Sequence, residues 1–302
     1  MNRLRLWTEV AAVELAWTMT RVLPRRGLLA LGGAAGALAG RIDRRHTGIA
    51  RENLRAAYGD AMPAAERERV LRACWRHFGR ITFDALAFPR LDGNAFDAIL
   101  EVEGIDNLRE ALASGRGALV FSAHLGHWEA GGFALRRFGI PHAVVARPLD
   151  NPLLDRRLGE LRGASGTEVI PKRRAVRETM RALARGLCVG ILIDQDAHED
   201  GVFVPFFGRV AATTPTLALL ALRTEAPIVP LFSRVATDGR ISVHIGPAVP
   251  TRPTGDRDAD VLRLTAACTA VVEGWARRNP EQWLWMHRRW KTRPPGETAA
   301  RA

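Results

Sequence analysis

Three cysteines in 302 residues are too few to staple a fold. Cys74, Cys188 and Cys268 are scattered, without Cys-x-x-Cys spacing. That argues against a disulfide framework and a thiolate zinc site, and fits reduced thiols in a cytoplasm-facing protein. A clear transmembrane run is missing too. The apolar stretch from Gly27 through Gly40 reaches roughly 21 Å as a helix, short of the ~30 Å hydrocarbon core. Glu9 and Glu14 interrupt what would be the apolar region of a signal peptide. There is no internal repeat, low-complexity tract, G-x-S-x-G elbow, phosphate loop, G-x-G-x-x-G fingerprint or H-E-x-x-H helix. Serine-elbow hydrolysis, ATP use, a dinucleotide cofactor and zincin chemistry therefore all lose support.

What is present is a globular composition, 47% hydrophobic and 25% charged, with a net charge of +12. Such a charge needs an acidic counterpart: nucleic acid, anionic lipid or a phosphorylated substrate. Leu6, Val10, Val13 and Trp17 recur at helical spacing, so Leu4 to Val22 reads as an amphipathic helix ending before Pro24. Gly32, Gly36 and Gly40, four apart, would let another helix approach closely, in a membrane or in a soluble core. Arg25, Arg26, Arg41, Arg44 and Arg45 flank this segment as an interfacial helix pair on anionic lipid requires. Residues 1–45 are thus expected to be membrane-associating helices, and residues 46–302 the catalytic domain.

After a helical stretch to about residue 92, strand-like and helical patterns alternate. Strands are predicted at Ile99–Glu103, Ala118–Phe121, Ala143–Ala146, Glu168–Ile170, Cys188–Ile193, Ile228–Phe232 and Ile241–Ile245. Helices are predicted at Ile105–Ala113, Trp128–Phe138, Pro152–Arg162, Ala175–Arg185 and Thr214–Arg223. This order predicts an α/β fold with a largely parallel central sheet covered by helices. The turn signal Thr237-Asp-Gly239 predicts that the last two strands form an antiparallel pair.

Candidate chemistry centres on His124-Leu-Gly-His-Trp-Glu129, directly after an apolar strand. Five residues along a helix is about 500°, so both side chains converge only if His124 leaves from the loop and Glu129 from the helix start. That arrangement suits a histidine base oriented by an acid. Ligands of open α/β sheets bind beyond the carboxyl ends of strands, where both His124 and Asp194 fall. Arg147 and Arg162 are candidate anion contacts. Asp194-Gln-Asp196 with His198, Glu199 and Asp200 offers carboxylates for a metal or a substrate hydroxyl, but no spacing defines a metal loop. Val202–Gly208 reads as an apolar loop, either core or an exposed wall for an acyl chain. The segment Pro280 to Pro295 interleaves Trp283, Trp285 and Trp290 with basic residues, as a single-stranded nucleic-acid platform or a bilayer interface would.

Together these segments resemble the lysophospholipid acyltransferase superfamily, in particular the late acyltransferases of lipid A biosynthesis. The resemblance runs from about Arg51 to Pro295. It rests on the ordered motifs His124-x4-Glu129, Arg147-Pro-x-Asp-Asn-Pro152, Asp194-Gln-Asp196, Phe203-Val-Pro-Phe-Phe-Gly208 with Ala211-Ala-Thr-Thr214, and Pro280-Glu-Gln-Trp-Leu-Trp-x-His-Arg-Arg-x-Lys-Thr-Arg-Pro294. It implies acyl transfer from acyl carrier protein or coenzyme A, as co-substrate, to a hydroxyl of a membrane lipid such as a lipid A precursor. His124 would be the base and Glu129 the acid that holds its tautomer. Arg147, Asn151, Arg162, Asp194, Asp196, Phe206, Phe207 and Gly208 would contact substrates. No metal or bound cofactor is implied. The expected partners are the lipid acceptor, the thioester carrier and an anionic membrane surface, at the cytoplasmic face of a bacterial inner membrane, through a monotopic or single amino-terminal anchor. Two features depart from the family pattern: His127, where members often carry Asn, and Ala197-His-Glu-Asp200, which lacks the expected glycine. Competing readings are acylation of another polar lipid, such as a phosphatidylinositol mannoside or lysophospholipid, and a basic nucleic-acid-binding protein.

Overall fold

In the computed structural model, which describes residues 3–91 and 93–296, helices come first. These are α1 (Arg3–Met19), α2 (Arg25–Ile42), α3 (Arg44–Tyr58), α4 (Ala64–Ala87) and the short α5 (Gly93–Asp97). Then follow β1 (Leu100–Glu103), α6 (Ile105–Ala113), β2 (Ala118–Ser122), α7 (Ala130–Arg137), β3 (His142–Ala146), α8 (Pro152–Ala164), β4 (Glu168–Pro171), α9 (Ala175–Ala184) and β5 (Cys188–Leu192). The hairpin β6 (Val202–Phe206) and β7 (Arg209–Thr213) precedes α10 (Thr216–Thr224), β8 (Ile228–Val235), β9 (Ile241–Ile245) and α11 (Arg257–Arg278).

All seven predicted strands enter one sheet, ordered β1-β9-β8-β2-β5-β3-β4. Every pairing is parallel except β8 with β9, joined through the Asp238-Gly239 turn. Alternation along the strands sends side chains to two cores. Leu119, Phe121, Val189 and Ile228 pack with α3, α4, α10 and α11, while Ala118, Val120, Cys188 and Val229 pack with α6 and α7. A sheet covered on both faces needs apolar residues at consecutive positions, as the central strands have.

Two expectations need correction. The apolar Val202–Gly208 segment is not a loop but most of a hairpin. Its two-residue turn, Phe207-Gly208, has positive φ at both positions (53° and 71°), the backbone whose twist matches paired strands. Helix α11 is also absent from the predicted set, although Asp256 caps it by accepting from the Asp258 and Ala259 N–H groups. Val261, Leu264, Cys268 and Val272 give it a buried stripe.

The glycine stripe of α2 resolves toward helix packing within the protein. A Cβ on Gly32 would lie 2.5 Å from the Gly79 carbonyl oxygen, and one on Gly36 would overlap the Trp75 carbonyl. Glycine thus lets α2 and α4 touch backbone to backbone. Arg25 fastens the pair by donating to both carboxylate oxygens of Asp84 (2.7 and 2.6 Å) and to the Gly239 carbonyl. No helix among the described residues is long and apolar enough to cross a membrane.

Candidate active site

Strands β2 and β5 lie side by side, with Ala118 opposite Cys188 and Ser122 opposite Leu192. Extending that register two residues beyond both carboxyl ends puts His124 level with Asp194. The two meet there. His124 Nδ1 lies 2.9 Å from Asp194 Oδ1, and the His124 backbone N–H donates to Oδ2 at 2.9 Å. Trp283 Nε1–H also donates to Oδ2, at 2.9 Å. Burial opposes ionisation of Asp194, but attraction to His124 and these three donors together hold its carboxyl below its ordinary value. With Nδ1–H committed to Asp194, Nε2 of a neutral imidazole is the free acceptor. The His124 side chain keeps 21% of its surface exposed against 2% for Asp194, so a buried carboxylate holds a solvent-reachable imidazole.

This corrects the pairing expected from the motif. The carboxylate bonded to His124 is Asp194, not Glu129. Glu129, at the start of α7, takes a bidentate bond from Arg162 of α8 (3.1 and 2.7 Å) and one from Trp128 Nε1 (3.1 Å). The Trp128 ring stands edge-on to the His124 imidazole with centroids 5.4 Å apart. It thus bridges two neighbouring units, the His124–Asp194 pair and the Glu129–Arg162 pair.

The turn between His124 and Glu129 is pinned on every side. Gly126 has φ 61°, and a Cβ there would collide with the Ser233 carbonyl. Its N–H donates to the Gln282 carbonyl, and its own carbonyl accepts from His77 Nε2 at 3.0 Å. The His127 N–H donates to Ser233 Oγ. His127 itself is buried, stacked on Phe88, with Nε2 3.7 Å from Asp84. Burial pushes the His77 imidazole down to about 4 and that of His127 to about 3, so both stand neutral.

An apolar pocket opens beside this turn, between α7 and the face of β2, β3 and β5. Trp128, Glu129 and Arg162 line it together with Val120, Leu135, Val144, Leu192 and Leu231. Gly131 and Gly132 on α7 and Gly190 on β5 leave its walls without side chains, which is why the ends of β3 and β5 stay partly open in an otherwise buried sheet.

The other expected site residues lie elsewhere. Arg147 is exposed and paired with Asp150. Asn151 is buried, capping α8 by accepting from the Leu153 N–H while donating to Leu6 O and Glu9 Oε2, so it ties α1 to the body. Asp196 accepts from the Thr292 N–H and hydroxyl and from His198. With Asp194 committed to His124, these carboxylates are already engaged, and no described group of three His, Cys, Asp or Glu could hold a metal ion. Phe206 and Phe207 are core, not an exposed wall, packed against Trp283, Trp285 and Trp290. Gly208 serves the hairpin turn. Those three tryptophans are buried, as is Arg289, so they form no stacking platform for bases.

Nearly the whole chain is matched by known proteins. Residues 1–292 fit the family described as bacterial lipid A biosynthesis acyltransferase. The lipid A biosynthesis palmitoleoyltransferase of Escherichia coli is 30% identical over 98% of this chain and 94% of its own length. The lipid A biosynthesis lauroyltransferase of the same organism is 30% identical over 97% and 94%. A phosphatidylinositol mannoside acyltransferase of Mycolicibacterium smegmatis is 28% identical over 91% and 88%. A family match over residues 1–292 and relatives 30% identical along nearly their full length show the family: the chain is an O-acyltransferase and belongs to the bacterial lipid A biosynthesis acyltransferase family.

Proposed function

We propose that this protein transfers a fatty acyl group from an acyl thioester, carried by acyl carrier protein or coenzyme A, to a hydroxyl of a lipid A precursor. The observation that carries the mechanism is the His124–Asp194 pair: a partly exposed imidazole whose Nδ1 is held by a buried carboxylate. Nε2 takes the acceptor hydroxyl proton as the oxygen attacks the thioester carbonyl. Asp194 stabilises the resulting imidazolium, as the acid of a hydrolase triad does. Collapse breaks the C–S bond, and the imidazolium returns its proton to the sulfur, leaving an ester and a thiol. A positioned base contributes about 10²- to 10⁴-fold. The apolar pocket under Trp128 takes the acyl chain, and Arg162, held at its wall by Glu129, contacts the reacting carbonyl or a substrate phosphate.

The protein works on this reading at the cytoplasmic face of the inner membrane, lying on the surface. Trp7, Val22 and Ile42 in and around α1 and α2 are 64%, 77% and 71% exposed, among the arginines that suit anionic lipid. The pocket, the base and the family match support lipid acylation generally, and the mannoside-acylating relative keeps a second acceptor class in view. The test is mass spectrometry of lipids made by purified enzyme from acyl carrier protein thioester and a lipid A precursor, with His124→Ala as control, alongside lipids of a deletion strain. A new ester on the precursor, absent with His124→Ala, is expected. Unchanged lipid A in the deletion strain would eliminate that acceptor.

A further inference from the structure

The catalytic pair is held from a third direction by chain remote in sequence. After α11 the chain returns across the carboxyl ends of β2 and β5. Leu125 and Trp283 form an antiparallel bridge, and the Leu284 N–H donates to the His124 carbonyl at 3.0 Å. The strap is anchored on both sides. Gln282 exchanges two side-chain bonds with the Val235 backbone (2.9 Å each), and the buried Arg289 donates to the Ala212 carbonyl. From this strap, Trp283 delivers its indole N–H to Asp194 Oδ2.

We propose that Trp283 is a positioning residue for acyl transfer: its indole N–H orients the Asp194 carboxylate and tempers its pull on the His124 proton, while its backbone bridge holds the His124 turn in register. This rests on the reading of His124 as base. Oδ2 already receives the His124 backbone N–H, so the indole completes that oxygen's shell and leaves Oδ1 to the imidazole. A buried carboxylate is costly unless its lone pairs are filled, and burial makes each donor count for more. The other ionisable groups facing the pair keep fixed roles. His287 accepts the Asp196 N–H on Nε2 and is pushed toward its neutral form by burial. Arg289 is bound to backbone carbonyls, and Asp196 is bound to Thr292 and His198.

The test replaces Trp283 with benzothienylalanine, which keeps the ring's shape and substitutes sulfur for N–H, in parallel with Trp283→Phe and His124→Ala. Removing a donor raises the proton affinity of the carboxylate–imidazole pair. The acid limb of the kcat/KM pH profile is therefore expected to move up by about 0.5 to 1 pH unit. A fall in kcat of roughly tenfold with KM unchanged is expected beside it, with thermal unfolding near that of the parent for the benzothienyl protein. A parent-like pH profile and kcat in a folded benzothienyl variant would overturn the positioning role while His124→Ala stays inactive. An active His124→Ala protein would instead overturn the base assignment beneath it.

Discussion

Asp194→Asn is the substitution that separates the structural assignment from the motif-based one. The side chain is nearly isosteric, so folding should survive, but the hydrogen bonds cannot. In the parent, Oδ2 accepts from the His124 backbone and Trp283, and Oδ1 accepts from His124 Nδ1–H. Asparagine has one acceptor, and the two donors at Oδ2 claim it. Its amide NH₂ must then face His124 Nδ1, which turns from donor into acceptor and moves the imidazole proton to Nε2. The base position is thereby blocked. A loss of about 10²- to 10⁴-fold in kcat is expected, roughly 3 to 5 kcal/mol of transition-state stabilisation. Glu129→Gln, by contrast, weakens the Arg162 clamp and leaves the His124 tautomer alone. A fall of about tenfold in kcat/KM is expected, with the acid limb of the pH profile unmoved. Steady-state transfer of labelled acyl groups from pH 5 to 9 measures both. Normal turnover by Asp194→Asn, or a displaced acid limb in Glu129→Gln, would refute the assignment.

Acid should destabilise the protein through His77 and His127. Both are held neutral in the fold, at about 4 and 3, against 6.5 ordinarily. Their contribution is fully present above about pH 6.5 and is lost as the unfolded chain gains protons below it. At pH 5 the loss is about 2 kcal/mol for each histidine, and denaturant titrations of the parent and His127→Asn at pH 7.5 and 5 should show the variant losing less; equal losses would contradict the buried-neutral state. Gly36→Leu should lower the melting temperature by pushing α2 off the Trp75 carbonyl, at a cost of about 1 to 3 kcal/mol or more, and an unshifted melt would argue against that contact. Gly190→Leu would fill the pocket against Val144, whose Cγ1 lies 3.3 Å from the Cβ position. Long-chain donors should lose activity while short ones retain it, and an unchanged donor profile would place the acyl chain elsewhere.

Much of the architecture is legible along the chain because it depends on local periodicity. Strand and helix alternation, breaks at glycine and proline, and the Asp238-Gly239 turn identify the seven strands of the main sheet and its antiparallel β8–β9 pair. The hairpin at Val202–Phe206 is hidden because its turn uses Phe207, a side chain that rarely accepts positive φ. Helix α11 had a readable signal, a capping Asp256 ahead of a regular apolar stripe. The tryptophan-rich carboxyl segment carries aromatics and arginines that suit a bilayer or a nucleic acid equally well. Only packing shows that Trp283, Trp285 and Arg289 lie in the core.

The sequence by itself determined the helix-covered sheet, the histidine at a strand end and, through its ordered motifs, the acyltransferase family. Tertiary structure alone decided which carboxylate is bonded to that histidine. Spacing within a motif reports neighbours along the chain, and it points to Glu129. Adjacency of β2 and β5 is a long-range pairing that local pattern does not encode, and the parallel register carries Asp194 across 70 positions to His124. A separate long-range bridge, Leu125 with Trp283, brings the Trp283 indole to complete the carboxylate's shell.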